Sequence, residues 1–195
     1  MKRVVLATGN PDKLREVSAL LADLPCELLG LDGFPEVALP EEGDDYAANA
    51  TAKALAAARA LGLPALGDDS GIEVAALGGA PGPRSARFGG AQLATEARNA
   101  KLLAALEGVE ARAARFYCVA ALARPDGGVA IAEGECRGRI LPAPRGTGGF
   151  GYDPIFEPEG FEVSMAELSE AEKNRLSHRA RAFAGLRDPL RAVLA

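Results

Sequence analysis

Apolar positions along this chain switch repeatedly between continuous short runs and helical spacing. Arg3 to Thr8 is a short apolar run that reads as a strand, and Gly9-Asn10-Pro11-Asp12 then turns the chain into a helix. In that helix Leu14, Val17, Leu20, Leu21 and Leu24 recur at three- and four-residue intervals. Leu28 to Leu31 is a candidate second strand. The acidic loop Glu41-Glu42-Gly43-Asp44-Asp45 leads into an alanine-rich helix from about Tyr46 to Leu61, closed by Gly62 and Pro64. Asp68-Asp69-Ser70-Gly71 follows, read as a turn set between the apolar runs Leu63 to Leu66 and Ile72 to Ala76.

Farther on, Gly78 to Gly90 is a long Gly- and Pro-rich loop carrying Arg84, Ser85 and Arg87, and Gln92 to Leu106 reads as an amphipathic helix. Ala114 to Ala123 and Val129 to Ile140 read as strands joined at Pro125-Asp126-Gly127-Gly128, a hairpin signal. Gly146 to Pro154 is a glycine-dense loop, and Ser169-x-x-Glu172 is a capping box opening a helix that Ser177 restarts, with His178 and Arg179 in its first turn. Helical and strand signals alternate without internal repeats. The expected class is α/β, with residues 1–195 forming one globular domain.

Charge and cysteine content narrow the function. The net charge of −5, without a basic cluster, argues against nucleic acid, whose backbone demands a basic footprint. No run approaches membrane-spanning length, so the expectation is a soluble, cytosolic protein with no membrane partner. Cys26, Cys118 and Cys136 are odd in number and widely spaced, which favours buried free thiols over a disulfide framework. A single histidine, His178, and no Cys-x-x-Cys pair argue against a zinc site.

Four segments carry candidate chemistry. Asp68 and Asp69 are neighbours, so in an extended segment they face opposite sides; one can reach a ligand while the other points away or supports it. That suits a carboxylate that binds Mg²⁺ or polarises water. Taken alone, the four residues read more readily as a tight turn. Thr8-Gly9-Asn10-Pro11-Asp12-Lys13 places hydrogen-bonders and a lysine where a strand feeds a helix N-terminus, a setting that favours phosphate, although a capped helix start has the same appearance. Gly148 to Asp153 offers Phe150 and Tyr152 for stacking on a flat base and Asp153 as an acceptor. Lys173, His178 and Arg179 can converge as donors only if the helix breaks near Ser177. Arginine outnumbers lysine, yet Lys13, Lys53 and Lys173 all fall in or beside these segments, as compact charges for phosphate would.

Together these strings resemble the inosine triphosphate pyrophosphatase family. The likeness runs from Leu6-Ala7-Thr8-Gly9-Asn10 through Asn49-Ala50, Lys53, Asp68-Asp69-Ser70-Gly71, Gly78 to Gly82, Ser85-Ala86-Arg87-Phe88 and Gly146 to Phe156 to the stretch from Lys173 to Arg179. It implies a long curved mixed β-sheet flanked by helices, two lobes with a nucleotide cleft between them, and a homodimer. It also implies Mg²⁺-dependent hydrolysis of ITP, dITP and XTP to the monophosphate and pyrophosphate, cleansing the nucleotide pool. By this likeness Thr8, Gly9, Asn10 and Lys13 bind the triphosphate, assisted by Lys53. Asp69 is the catalytic base and a metal ligand, Ser70 a substrate contact, and Glu41 or Glu42 a second acidic contributor. Phe150, Gly151, Tyr152, Asp153, Lys173, His178 and Arg179 match the base-recognition positions.

One departure stands out: Ala48 occupies the place where family members commonly carry Glu before the Asn-Ala pair. Glu41, Glu42, Asp44 and Asp45 are all candidates to compensate. Two other readings remain open at this point. One is a Maf-type pyrophosphatase acting on pyrimidine or modified nucleotides, against which the Ser177-His178-Arg179 string argues. The other is a nucleotide-binding module without catalysis, against which Asp69 and the full cation set argue.

Overall fold

The computed structural model describes residues 2–195. Its strands are β1 (Lys2–Leu6), β2 (Cys26–Leu29), β3 (Ala65–Val74), β4 (Ala113–Ala123), β5 (Val129–Ile140) and β6 (Phe156–Pro158). They form one mixed sheet in the order β2-β1-β3-β4-β5-β6. β1 pairs in parallel with both β2 and β3, whereas β5 and β6 are antiparallel. The helices are α1 (Pro11–Leu20), α2 (Tyr46–Leu61), α3 (Thr95–Ala105), α4 (Glu170–Leu176), α5 (His178–Gly185) and α6 (Arg187–Leu194). This is the α/β class the spacing predicts.

The chain divides into two compact units. One comprises the chain up to Asp69 with Cys118–Gly134 and His178–Ala195; the other comprises Ser70–Tyr117 and Glu135–Ser177. In the first, Val4 and Leu6 of β1, Val17 of α1, Leu21 at its C-cap, Leu66 of β3 and Phe183 of α5 belong to one buried cluster. The α1 stripe expected from the sequence thus turns inward. In the second, Ile72, Leu102, Phe116, Ile140, Tyr152 and Phe156 form a separate buried cluster, with the Phe116 and Phe156 rings edge to face at 4.6 Å.

Several local signals act as the sequence implies. Asn10 caps α1, Asp45 caps α2, Gly62 ends α2 in the left-handed conformation, and Ser169 with Glu172 forms a complete capping box. At the β4–β5 connection Gly127 takes positive φ and Arg124 N–H bonds the Gly128 carbonyl, closing the hairpin turn. The chain leaves helical geometry at Ser177 (φ −66°, ψ 152°), so α4 ends and α5 begins at His178.

The main correction concerns Asp68 to Gly71, which lie inside β3 rather than in a turn. Glycine serves close approach here, not reversal of the chain. A Cβ on Gly71 would meet the Gly82 carbonyl oxygen at 2.1 Å and Ser85 Oγ at 2.7 Å, and one on Gly67 would meet the Ala50 carbonyl oxygen at 2.5 Å. In the Gly78 to Gly90 segment, a short 3-10 turn over Gly82–Arg87 lies against β3: Ser85 Oγ accepts from Ile72 N at 2.8 Å and donates to Gly82 O at 2.6 Å.

Candidate active site

Strand alternation sends the two neighbouring aspartates to different partners. Asp68, with a side chain 0% exposed, meets the helices α1 and α5: Lys13 Nζ lies 3.0 Å from its Oδ2, and Arg179 donates to the same oxygen through Nη2 at 3.2 Å and Nε at 3.3 Å. Arg179 Nη1 also donates to Glu16 Oε2 at 2.5 Å, and Glu16 sits one turn beyond Lys13 on α1. Burial alone would raise the Asp68 pKa, but Lys13, Arg179 and Lys53 outweigh it and hold the carboxyl well below the ordinary carboxylate range. Its Oδ1 is buried without a hydrogen-bond partner. Asp68 therefore points into the protein rather than outward, committed to Lys13 and Arg179.

Asp69 faces α2 and the acidic loop. Asn49 Nδ2 donates to its Oδ2 at 2.7 Å, and Lys53 Nζ lies 4.0 Å from its Oδ1. The same Lys53 Nζ is 2.5 Å from Glu42 Oε1. Burial raises the Asp69 pKa and the Glu42 charge adds to it; the Asn49 hydrogen bond and Lys53 oppose without cancelling the rise. A buried carboxylate with raised proton affinity beside lysine has the electrostatics a general base requires.

Of the four acidic candidates in the loop, Glu42 is the one drawn to Lys53 beside Asp69. Glu41 is exposed, and Asp45 Oδ1 is committed to capping α2 through Ala48 N at 2.8 Å. No group of three or more His, Cys, Asp or Glu side chains converges on a metal-sized space among the described residues. The donors at hand are the hard carboxylate oxygens of Asp69 and Glu42. Such a set fits Mg²⁺, which takes one or two carboxylates and completes its shell with water and substrate phosphate.

At the strand-to-helix turn, Asn10 Oδ1 accepts from Asp12 N at 2.9 Å and Lys13 N at 3.4 Å, and Thr8 Oγ1 accepts from Asn10 N at 3.1 Å. The helix start is thus capped by its own asparagine. Lys13, 15% exposed at the side chain, is the charge this turn offers to a phosphate. Gly9 is exposed, and a Cβ there would meet nothing within 4 Å.

The second unit contains the aromatic loop. Asp153 Oδ2 accepts from Phe150 N at 2.8 Å and from Lys173 Nζ at 2.6 Å, and Lys173 Nζ also sits 4.7 Å from the centre of the Phe150 ring. Asn99 Nδ2 donates to the Gly151 carbonyl at 3.1 Å. Tyr152 is buried in the apolar cluster, with its hydroxyl donating to Ser85 O at 2.8 Å, so Phe150 is the partly exposed ring of the pair. Ser70, half-buried, follows Asp69 on β3, and His178 is buried at the start of α5.

All three lysines singled out from the sequence are paired with carboxylates: Lys13 with Asp68, Lys53 with Glu42, and Lys173 with Asp153. Arg179 is held by Asp68 and Glu16 rather than presented as a bare donor. Glu16 and the side-chain role of Asn49 escape sequence reading. Asn49 was visible only as part of a motif, and Glu16 only as one more polar position on α1.

Comparison with known proteins identifies the family. The Ham1 family model matches residues 4–189. A curated protein of Syntrophobacter fumaroxidans named dITP/XTP pyrophosphatase is 51% identical over 194 residues, covering 98% of this chain and 83% of its own length. A protein of Geobacter sulfurreducens with the same name is 50% identical, with 97% of each chain covered. Among solved structures, a HAM1 protein from Coxiella burnetii superposes with a TM-score of 0.88 at 41% identity, over 98% of this chain and all of the other. The Ham1 protein of Staphylococcus aureus gives a TM-score of 0.86 at 36% identity, over 98% and 99%. The chain belongs to the Ham1 family.

Proposed function

We propose that this protein hydrolyses non-standard purine nucleoside triphosphates, namely dITP, XTP and ITP, to the nucleoside monophosphate and pyrophosphate. The observation that carries the reading is Asp69: a buried carboxylate of raised proton affinity, held by Asn49 and flanked by Lys53 and Glu42. The names of the curated relatives support the same reaction and substrate class.

In this reading Lys13 and Lys53 offset the charge of the triphosphate, with Thr8, Gly9 and Asn10 lining the turn beside it. Asp69 Oδ1 takes the proton from a water whose oxygen attacks the α-phosphorus; the bond to the bridging oxygen breaks and pyrophosphate leaves with the electron pair. No covalent intermediate is needed. Asp69 and Glu42 would hold Mg²⁺, which when bound draws charge from the phosphate oxygens. Phe150 offers a ring face to the base, and Lys173 and His178 supply donors suited to a 6-oxo purine. Adenine, with a 6-amino donor, leaves such buried donors unpaired, a loss worth several powers of ten in rate. Arg179 acts in this scheme through Asp68, keeping the carboxylate charged beside Lys13.

The test is a substrate panel of dITP, XTP, ITP, ATP, GTP, dTTP and UTP, reading pyrophosphate release with and without EDTA. Fast release from the first three, suppressed by EDTA, is expected. Equal turnover of ATP removes the specificity reading, and preference for dTTP or UTP favours the Maf-type alternative. Tight ITP binding without turnover would make the protein a binding module. The family likeness also leads us to infer a homodimer, which light scattering on the purified protein reads directly.

A further inference from the structure

Asn49 makes three side-chain hydrogen bonds. Its Oδ1 accepts from Gly43 N at 2.8 Å, and its Nδ2 donates to Gly43 O at 3.0 Å and to Asp69 Oδ2 at 2.7 Å. Because a backbone N–H must meet an oxygen, the pairing with Gly43 fixes which end of the amide is which, and Nδ2 is left facing the carboxylate. The residue is 5% exposed. Asparagine is a poor helix former with no apolar surface to bury, so on α2 these bonds are what it supplies.

Lys53 lies four residues farther along the same helix face and repeats the pattern, bridging Glu42 Oε1 at 2.5 Å and Asp69 Oδ1 at 4.0 Å. α2 thus holds two rungs, each joining the acidic loop to one oxygen of Asp69. Asn49 occupies Oδ2, which turns Oδ1 toward Lys53 and the reacting groups. It also anchors the peptide next to Glu42.

We propose that Asn49 is a positioning residue for the hydrolysis. By donating to Asp69 Oδ2 while clasping the Gly43 peptide, it fixes the rotamer of the base and the place of Glu42 relative to it. This role rests on the pyrophosphatase reading above. A residue that merely ties a loop to a helix would need only the Gly43 pair; the bond to Asp69 carries the functional claim.

Two variants separate these roles. Asn49→Asp keeps an acceptor for Gly43 N–H but loses both donations and sets a second carboxylate against Asp69. Asn49→Ala loses every bond without adding charge. Each is assayed for dITP turnover, for thermal stability and for hydrogen exchange at the Gly43 amide. Supporting groups of this kind are worth about 10–100-fold, so kcat on dITP should fall by that factor in both variants, with KM within about threefold of wild type. Gly43 should exchange fast in Asn49→Ala and remain protected in Asn49→Asp.

Wild-type kcat in Asn49→Asp, with loss only in Asn49→Ala, would reduce Asn49 to a loop tie and overturn the proposal. A raised KM at unchanged kcat in Asn49→Ala would do the same, and that variant decides the matter alone if Asn49→Asp does not fold. A wild-type protein that releases no pyrophosphate from dITP, XTP or ITP would sink the functional reading, and the catalytic role with it. Unprotected Gly43 in the wild type would instead show the clasp itself to be wrong.

Discussion

Neighbouring aspartates on one strand should respond to the same substitution in opposite ways. Asp68→Asn removes the only charge on an oxygen that serves Lys13 and both Nη2 and Nε of Arg179. Arg179 would retain Glu16, but Lys13 would lose its ion-pair partner on β3. Removing one member of a buried ion pair costs about 3–5 kcal/mol, because the desolvated charge left behind is uncompensated. For a chain of this size each kcal/mol moves Tm by about 2–4 °C, so a drop of roughly 6–20 °C is expected. Asp69→Asn should behave otherwise. Burial and Glu42 raise the proton affinity of Asp69, so its charged form works against folding, and the neutral amide removes that cost while Asn49 can still donate to its oxygen. That variant should melt at or above the wild-type temperature and lose dITP hydrolysis by about two to four powers of ten, as expected for loss of a general base. Thermal melts by circular dichroism and a pyrophosphate assay on the two proteins give the comparison. Asp68→Asn melting with wild type, or Asp69→Asn retaining kcat, would refute the division of labour drawn here.

Other consequences concern residues around that pair. Lys13→Ala should raise KM for dITP tenfold to a hundredfold, the equivalent of one charge-assisted hydrogen bond of about 1.5–3 kcal/mol, and initial-rate kinetics would read it. Gly71→Ala should lower stability by about 1–3 kcal/mol, measured by urea denaturation, since its methyl group would overlap the Gly82 carbonyl oxygen. Thiol titration of the native protein near pH 8 should find Cys118 and Cys136 unreactive and Cys26 at most slowly reactive. Cys118 and Cys136 are buried, and desolvation pushes the Cys118 thiol up to about 12, so almost no thiolate is present there. All three thiols should react in denaturant.

How much of this was legible beforehand depends on the range of the interaction. Helix starts at Asn10, Asp45 and Ser169 were readable because a cap acts on amides two or three residues away. The hairpin at Gly127 and the break at Ser177 are equally local. By contrast, the commitment of Arg179 to Asp68 joins residues 111 apart, and that to Glu16 joins residues 163 apart, distances over which no spacing rule operates. Asp68 to Gly71 misled as a turn because its composition is turn-like; the strand persists because the glycines admit α2 and the Gly82 turn against it. The three-residue strand β6 is too short to show any alternation. The aromatic loop was identifiable as chemistry, but only packing decides that Tyr152 faces inward while Phe150 stays partly exposed.

The proposed attack of water, deprotonated by Asp69, on the α-phosphorus of a non-standard purine triphosphate fixes where the water oxygen ends up. Hydrolysis of dITP in ¹⁸O-enriched water, followed by mass spectrometry of both products, tests it directly. One labelled oxygen is expected in the monophosphate and none in the pyrophosphate, with product formation by the Asp69→Asn protein slowed by about two to four powers of ten. Label in the pyrophosphate, or orthophosphate as the first product, would contradict it.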